Sequence, residues 1–248
     1  MSIFSVNEFG QTILSNLFQS KNYTGNIAFS SPSLFVVMSI IKAALGRQTI
    51  SKLSHILYYD VNELQKSESW CKTSVGKKLS QMYSEIKSTT TTKSIIFHSF
   101  KIIPSFVKSS QELIDIHYHK CDVVRKARMA RIINEWVGKN TRRVFINLYR
   151  HPLDSKTKMI IITTLYFFTD WINPFDPRKT RTENFTDDTG QKFNVNMMRQ
   201  TGLYKIYPDP INNLSIIFIP LVKSDLSAVV VLPSVGYPIQ DMVRGFKV

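Results

Sequence analysis

Apolar residues recur at three- and four-residue intervals between Phe4 and Phe18 (Phe4, Val6, Phe9, Ile13, Leu14, Leu17, Phe18), the spacing of an amphipathic helix. A short extended segment, Asn26-Ile-Ala-Phe-Ser30, leads into a second helix with Ser30 or Ser31 as its cap, Pro32 at its first position and an end near Gly46. Leu34, Phe35, Val37, Met38, Ile40, Ile41 and Leu45 surround that helix on nearly every side, so it must run through a core. Residues 48–87 carry the pattern of further amphipathic helices, and the polar, β-branched run Ser88–Thr92 predicts a loop before a strand at Ser94–Ile103. Pro104 opens a helix through about Tyr118, followed by a short strand at Cys121–Val124 and a helix over Ala130–Leu148. The nearly continuous apolar run Lys158–Phe168 predicts a strand covered on both faces, in the middle of a sheet. Beyond Pro174 the period becomes two, and Lys192–Met198, Gly202–Tyr207, Leu214–Val222 and Leu226–Leu232 read as strands, the last two joined by Lys223-Ser-Asp225. Helices first and strands later predict an α+β fold, taken as one domain over residues 1–248.

Charge changes this picture in one place. Of the net +14, +12 lies in residues 1–150, most densely at Arg125-Lys126-Ala-Arg128-Met-Ala-Arg131, with Lys139, Arg142 and Arg143 following. Arg125, Lys126, Arg128 and Arg131 are therefore candidate contacts for a polyanion, whose binding would weaken with salt. Zinc-finger, RNP and helix-turn-helix signatures do not accompany the charge.

Catalytic chemistry is sparse. Neither a Gly-x-Ser-x-Gly elbow nor a phosphate-cradling loop ending in Lys-Ser/Thr occurs, and an enzyme is not expected. His117, His119 and Cys121 have a spacing that puts three donors on one face of a strand, but a fourth ligand is not evident and no metal or cofactor is expected. Two cysteines do not make a disulfide framework. An N-terminus without a basic, then apolar, leader and the lack of a membrane-length apolar run predict a cytoplasmic chain with no membrane partner.

Several segments together resemble the serpins, protease inhibitors that insert a cleaved loop into their own sheet. Asn26-Ile-Ala-Phe-Ser-Ser-Pro-Ser-Leu34 resembles the opening of the family's helix B, and Ile133-Asn-Glu-Trp-Val-Gly-Lys-Asn-Thr141 its helix F. Leu165-Tyr-Phe-Phe-Thr-Asp-Trp171, Pro174-Phe175, Val195-Asn-Met-Met198 and Val229-Val-Val-Leu-Pro233 are similar to later strands, in order, over about Phe4 to Met242. The resemblance implies a multi-helix and sheet fold whose shutter, a polar cluster beneath the central strand, includes Ser30 and Ser33. It puts Thr163 where the family has Asn, one hydroxyl donor in place of two amide donors, and Pro32 one residue late. Trp171 matches the aromatic of the breach, at the top of the sheet, and Arg143 stands where helix F is followed by Gly.

The family's later strands and its reactive-centre loop fall beyond the matched positions. The resemblance therefore implies a serpin-like homologue of serine and cysteine protease inhibitors, non-inhibitory because the loop that serves as bait is missing. Intracellular serpins of poxviruses are the implied type, with a host protease or host serpin as partner and no small-molecule substrate. The alternative expectation is a binding module that captures a partner strand on an open sheet edge, or a polyanion on its basic helices.

Overall fold

The structure is a computed structural model that describes residues 3–45, 56–57, 60–121, 126–154, 156–187, 189–223 and 225–245. The chain divides into two compact units, residues 1–167 and 168–246 (with 247–248 grouped with the first).

In the first unit, helix α1 (Ile3–Ser20) packs on α2 (Ser31–Ala44), with the Phe9 and Phe35 rings edge to face at 5.5 Å. Their close approach is set by Gly10, where an added methyl would lie 2.9 Å from Ser31 Cβ. The short α3 (Asn62–Gln65), a 3-10 turn at Trp70–Lys72, α4 (Ser74–Thr89) and α5 (Pro104–Leu113) complete the helical layer. One sheet runs in the order β2 (Ile116–Lys120), β1 (Thr91–His98), β3 (Met159–Tyr166), with β1 parallel to β2 and antiparallel to β3. Side chains alternate across it. Ile96 and Ile161 join the core of α1, α2 and α4, whereas Ile95, Phe97, Ile160 and Ile162 meet Met129, Ile133 and Val137 of α6 (Lys126–Asn140) on the opposite face.

In the second unit, β4 (Arg181–Thr186) and β5 (Lys192–Met197) form a hairpin, and β6 (Lys205–Asp209), β7 (Leu214–Pro220) and β8 (Ser227–Pro233) form an antiparallel meander before α7 (Ile239–Gly245). Among its described residues, Leu214 and Leu221 are buried, while Ile206, Val229, Leu232 and Val235 stand open to solvent.

The α+β reading holds, and several boundaries move. The strand expected from Ser94 starts at Thr91 and ends at His98, because Thr89 and Thr90 hydroxyls bond back to the last carbonyls of α4 and Thr92 is already in the ladder. The helix expected to reach Tyr118 stops at Leu113, and Ile116–Lys120 is recruited as a strand by parallel pairing with β1. The helix expected to reach Leu148 stops at Asn140, ahead of left-handed backbone at Arg142 (φ 49°) and Arg143 (φ 63°). β3 is covered on both faces as its apolar run implies, yet among the described residues it ends its sheet and β1 is the middle strand. Side-chain periodicity reports faces and carries no information about lateral neighbours. The hairpin strand β4 and helix α7 were not foreseen in the pattern. The readings at residues 46–55, including the Gly46 helix end, and at 122–124 lie outside the described residues.

Gly10→Ala provides a test of the α1–α2 packing. Helix propensity alone predicts a gain of about 1 kcal/mol. The contact with Ser31 predicts a net loss of about 1–2 kcal/mol instead, read from urea unfolding.

Candidate functional site

The N-terminus of α2 is built as its sequence foretells. Ser30 is extended (φ −105°, ψ 107°) and is the cap: its Oγ accepts from the Ser33 backbone N–H at 3.3 Å and donates to Ser33 Oγ at 2.9 Å. Pro32, in the first turn, gives up an N–H that has no helical partner there. Thr163 lies on β3 opposite Ser94, and their hydroxyls meet at 3.1 Å. Thr92 Oγ1 donates to the Thr164 carbonyl at 3.0 Å, and Thr164 Oγ1 to the Lys93 carbonyl at 3.3 Å. Ser94 and Thr163 share sheet parity with Ile96 and Ile161, so this pair belongs to the face turned toward α2. The three residues expected to form one cluster thus make two pairs, Ser30 with Ser33 and Thr163 with Ser94.

Trp171 lies in the second unit. It bridges Leu221 in antiparallel fashion, is flanked by bonds from Ile172 N to Pro220 O and from Val222 N to Asp170 O, and meets the Phe175 ring edge to face at 5.8 Å.

The basic segment gives α6. Arg128 and Arg131 are exposed on it, Lys126 opens it, and Arg125 lies outside the described residues. After α6 the chain doubles back along the helix. Asn134 holds it there, donating from Nδ2 to the Tyr149 carbonyl at 2.8 Å and accepting at Oδ1 from the Tyr149 N–H at 2.9 Å. Between helix and returning chain lies a cleft of about 720 Å³ that contains Arg131 but not Arg128, together with Lys139, Arg143, Arg150 and His151. Arg150 and His151 escaped the charge reading because they are ten residues from the helix end in sequence; the folding back of the chain brings them in.

His117 and His119 sit on β2, and among the described residues no three His, Cys, Asp or Glu side chains are grouped to hold a metal. His117 Nε2 is 3.4 Å from Asp115, the His119 ring lies against Phe97, and Cys121 Sγ donates to the His119 carbonyl at 3.7 Å. Asp115 also pairs with Lys93 and, at 3.8 Å, Lys87, and the Lys93 hydrogen bond holds its carboxyl below the ordinary value. Both cysteines are free, with thiols pushed up by burial. Among the described residues, no helix is long and apolar enough to cross a membrane.

The family model described as serpin (serine protease inhibitor) matches residues 4–246. The chain belongs to the serpin family. It is 26% identical over 215 residues to a leukocyte elastase inhibitor of Xenopus tropicalis, covering 86% of this chain and 56% of that one. It is 31% identical over 141 residues to an alpha-1-antitrypsin homolog of Cyprinus carpio, covering 57% of this chain and 37% of that one. This serpin therefore spans about half the length of the relatives it matches. Its fold is that of ovalbumin from emu (Dromaius novaehollandiae), with a TM-score of 0.81 at 22% identity over 98% of this chain and 66% of that one. Thyroxine-binding globulin in complex with thyroxine gives a TM-score of 0.84 at 18% identity, over 98% and 66%.

Ser30→Ala removes both the cap and the Ser33 hydroxyl contact, and is expected to cost about 1 kcal/mol in chemical unfolding. Ser30→Asp restores an acceptor for the Ser33 N–H and should recover most of that loss.

Proposed function

We propose that these 248 residues are the scaffold part of a protein that controls proteolysis, a serpin-type homologue in which this part supplies the sheet and not the bait. The two units are taken as parts of one serpin domain, a reading supported by a family match that runs through both. The observation that carries the proposal is the capped, buried α2 beneath a sheet whose strand β3 has no partner on its outer side among the described residues. In this reading Ser30, Ser33 and Thr163 hold the shutter positions and Trp171 the breach position. Their family roles are altered at Thr163, whose single hydroxyl is engaged by Ser94. Host proteases inside an infected cell are the proposed setting, a reading that rests on the poxvirus-type resemblance.

Incubated with elastase-like and chymotrypsin-like serine proteases and with caspases, the 248-residue chain is expected to be digested without a covalent complex on a denaturing gel. A stable high-mass band would overturn the proposal, since it requires a bait within these residues.

A second reading, capture of a partner strand, is favoured by the edges of β3 and β8, which have no strand on their outer sides among the described residues. β8 presents Val229, Val230 and Leu232 to solvent, and an unpaired apolar edge is a template for another strand. A synthetic peptide of about ten residues, alternating threonine or valine with small polar residues, is expected to raise the melting temperature in a saturable way. No shift up to millimolar peptide would count against strand capture.

A further inference from the structure

The cleft between α6 and the chain that returns along it gathers basic side chains from two segments. Arg131 and Lys139 line it from the helix, and Arg143, Arg150 and His151 from the returning segment; Glu135 is the acidic residue in the lining. Two walls of one cleft therefore carry converging positive groups, held in register by the reciprocal Asn134–Tyr149 bonds. We propose that this cleft is a binding site for a compact small molecule bearing several phosphate groups.

The backbone after α6 supports a ligand role for Arg143. Arg142 and Arg143 both lie in the left-handed region, at φ 49° and 63°, where glycine is the inexpensive residue. The turn is fixed by hydrogen bonds from Arg143 N to Gly138 O at 2.8 Å and from Val144 N to Thr141 O at 3.0 Å, and by Thr141 Oγ1 to Val137 O at 2.8 Å. It sends the two guanidinium groups to different places. Arg142 stacks over the Tyr166 ring at 4.4 Å, whereas Arg143 lines the cleft. A bulky charged residue kept in strained backbone is the pattern of a ligand clamp. An arginine fork matches two phosphate oxygens at once, with charge-assisted bonds stronger than neutral ones.

Size and lining select the ligand class. About 720 Å³ suits a small molecule. A single-stranded nucleic acid would need a row of rings on which successive bases stack, but among the described residues the lining offers two, Tyr149, partly buried against the core cluster of Ile133 and Val137, and His151. A long sulfated polymer is served by a linear track rather than by two walls closing on one volume. This inference does not depend on the serpin mechanism, so its failure and that of the proteolysis reading are separate results.

The test is titration calorimetry of the full 248-residue chain with inositol hexakisphosphate at about 150 mM salt, where exposed charges more than a Debye length apart are largely screened. One saturable site is expected. Arg131→Gln and Arg143→Gly should each weaken it about tenfold, and the exposed Lys21→Gln should leave it unchanged. Arg143→Gly suits the left-handed backbone, so its melting temperature should not fall, which separates loss of binding from loss of fold. The proposal is overturned by absence of saturable binding or by equal weakening in Lys21→Gln. Binding of a heparin fragment or a single-stranded oligonucleotide that inositol hexakisphosphate does not displace would also overturn it.

Discussion

The first unit is organised by one constraint: α2 is apolar on almost every side and has to be covered on almost every side. Phe35, Val36 and Ile40 are wholly buried, and at about 25 cal/mol per Å² an uncovered helix of this kind would cost several kcal/mol, as much as the net stability of many domains. Its neighbours supply the cover: Phe9 from α1, Leu79 and Tyr83 from α4, Ile96 from β1, with Ile161 of β3 packed alongside. Most polar groups inside this environment are answered, although the Tyr83 hydroxyl is buried without a hydrogen-bond partner among the described residues. Ser39 returns its hydroxyl to the Phe35 carbonyl at 2.8 Å, and Ser30 and Ser33 answer each other at the helix start. Lys42 is the extreme case, a buried ammonium whose pKa burial pushes down while the Asp60 carboxylate opposes the shift.

The same constraint shapes the sheet. Its α2-facing side must be mostly apolar, so the hydroxyls it carries are answered within the protein: Ser94 and Thr163 meet across the strands, Thr92 donates to the Thr164 carbonyl and Tyr118 meets Ser110. A pair of this kind holds β1 to β3 through short, neutral contacts of modest net worth, each about 1 kcal/mol. Where the family resemblance implies an amide, Thr163 offers a single hydroxyl donor, and the strand-to-strand pair with Ser94 engages it. The helix cap and the sheet pair are thereby independent units, which differs from the single connected cluster the family resemblance implies.

Which parts were legible in the sequence follows from which signals are local. The Ser30 cap, Pro32 and the all-round apolar pattern of α2 are decided within a few residues, and the structure bears them out. Ile116–Tyr118 fall within a helical pattern yet form a strand, because that state comes from β1, some twenty residues earlier in the chain, and propensity yields to pairing. Arg131 was legible as part of a charge run. Arg150 and His151 were not, since they reach the helix through Asn134, which grips the Tyr149 backbone, and through the Tyr149 ring, which packs against the cluster of Ile133 and Val137. The Asn134 side chain is thus where a local motif acquires a non-local consequence.

The end of α6 shows how the same residues can serve fold and charge at once. A helix commonly stops with one left-handed residue, and glycine takes that place because it lacks a Cβ. Here two consecutive arginines adopt it, and each would be cheaper as glycine in backbone terms alone. For Arg142 the stacking on Tyr166 offsets part of that cost, since a guanidinium over an aromatic face contributes about 0.5–1 kcal/mol at an exposed site. Among the described residues, no ring lies beneath Arg143 to play that part. Its side chain is exposed beside Arg131, Lys139 and Arg150, where mutual repulsion adds to the backbone strain. A residue that is unfavourable on both counts in the free protein becomes favourable when an anion neutralises the cluster, so the energetics of the turn and the charge of the cleft point to the same occupant.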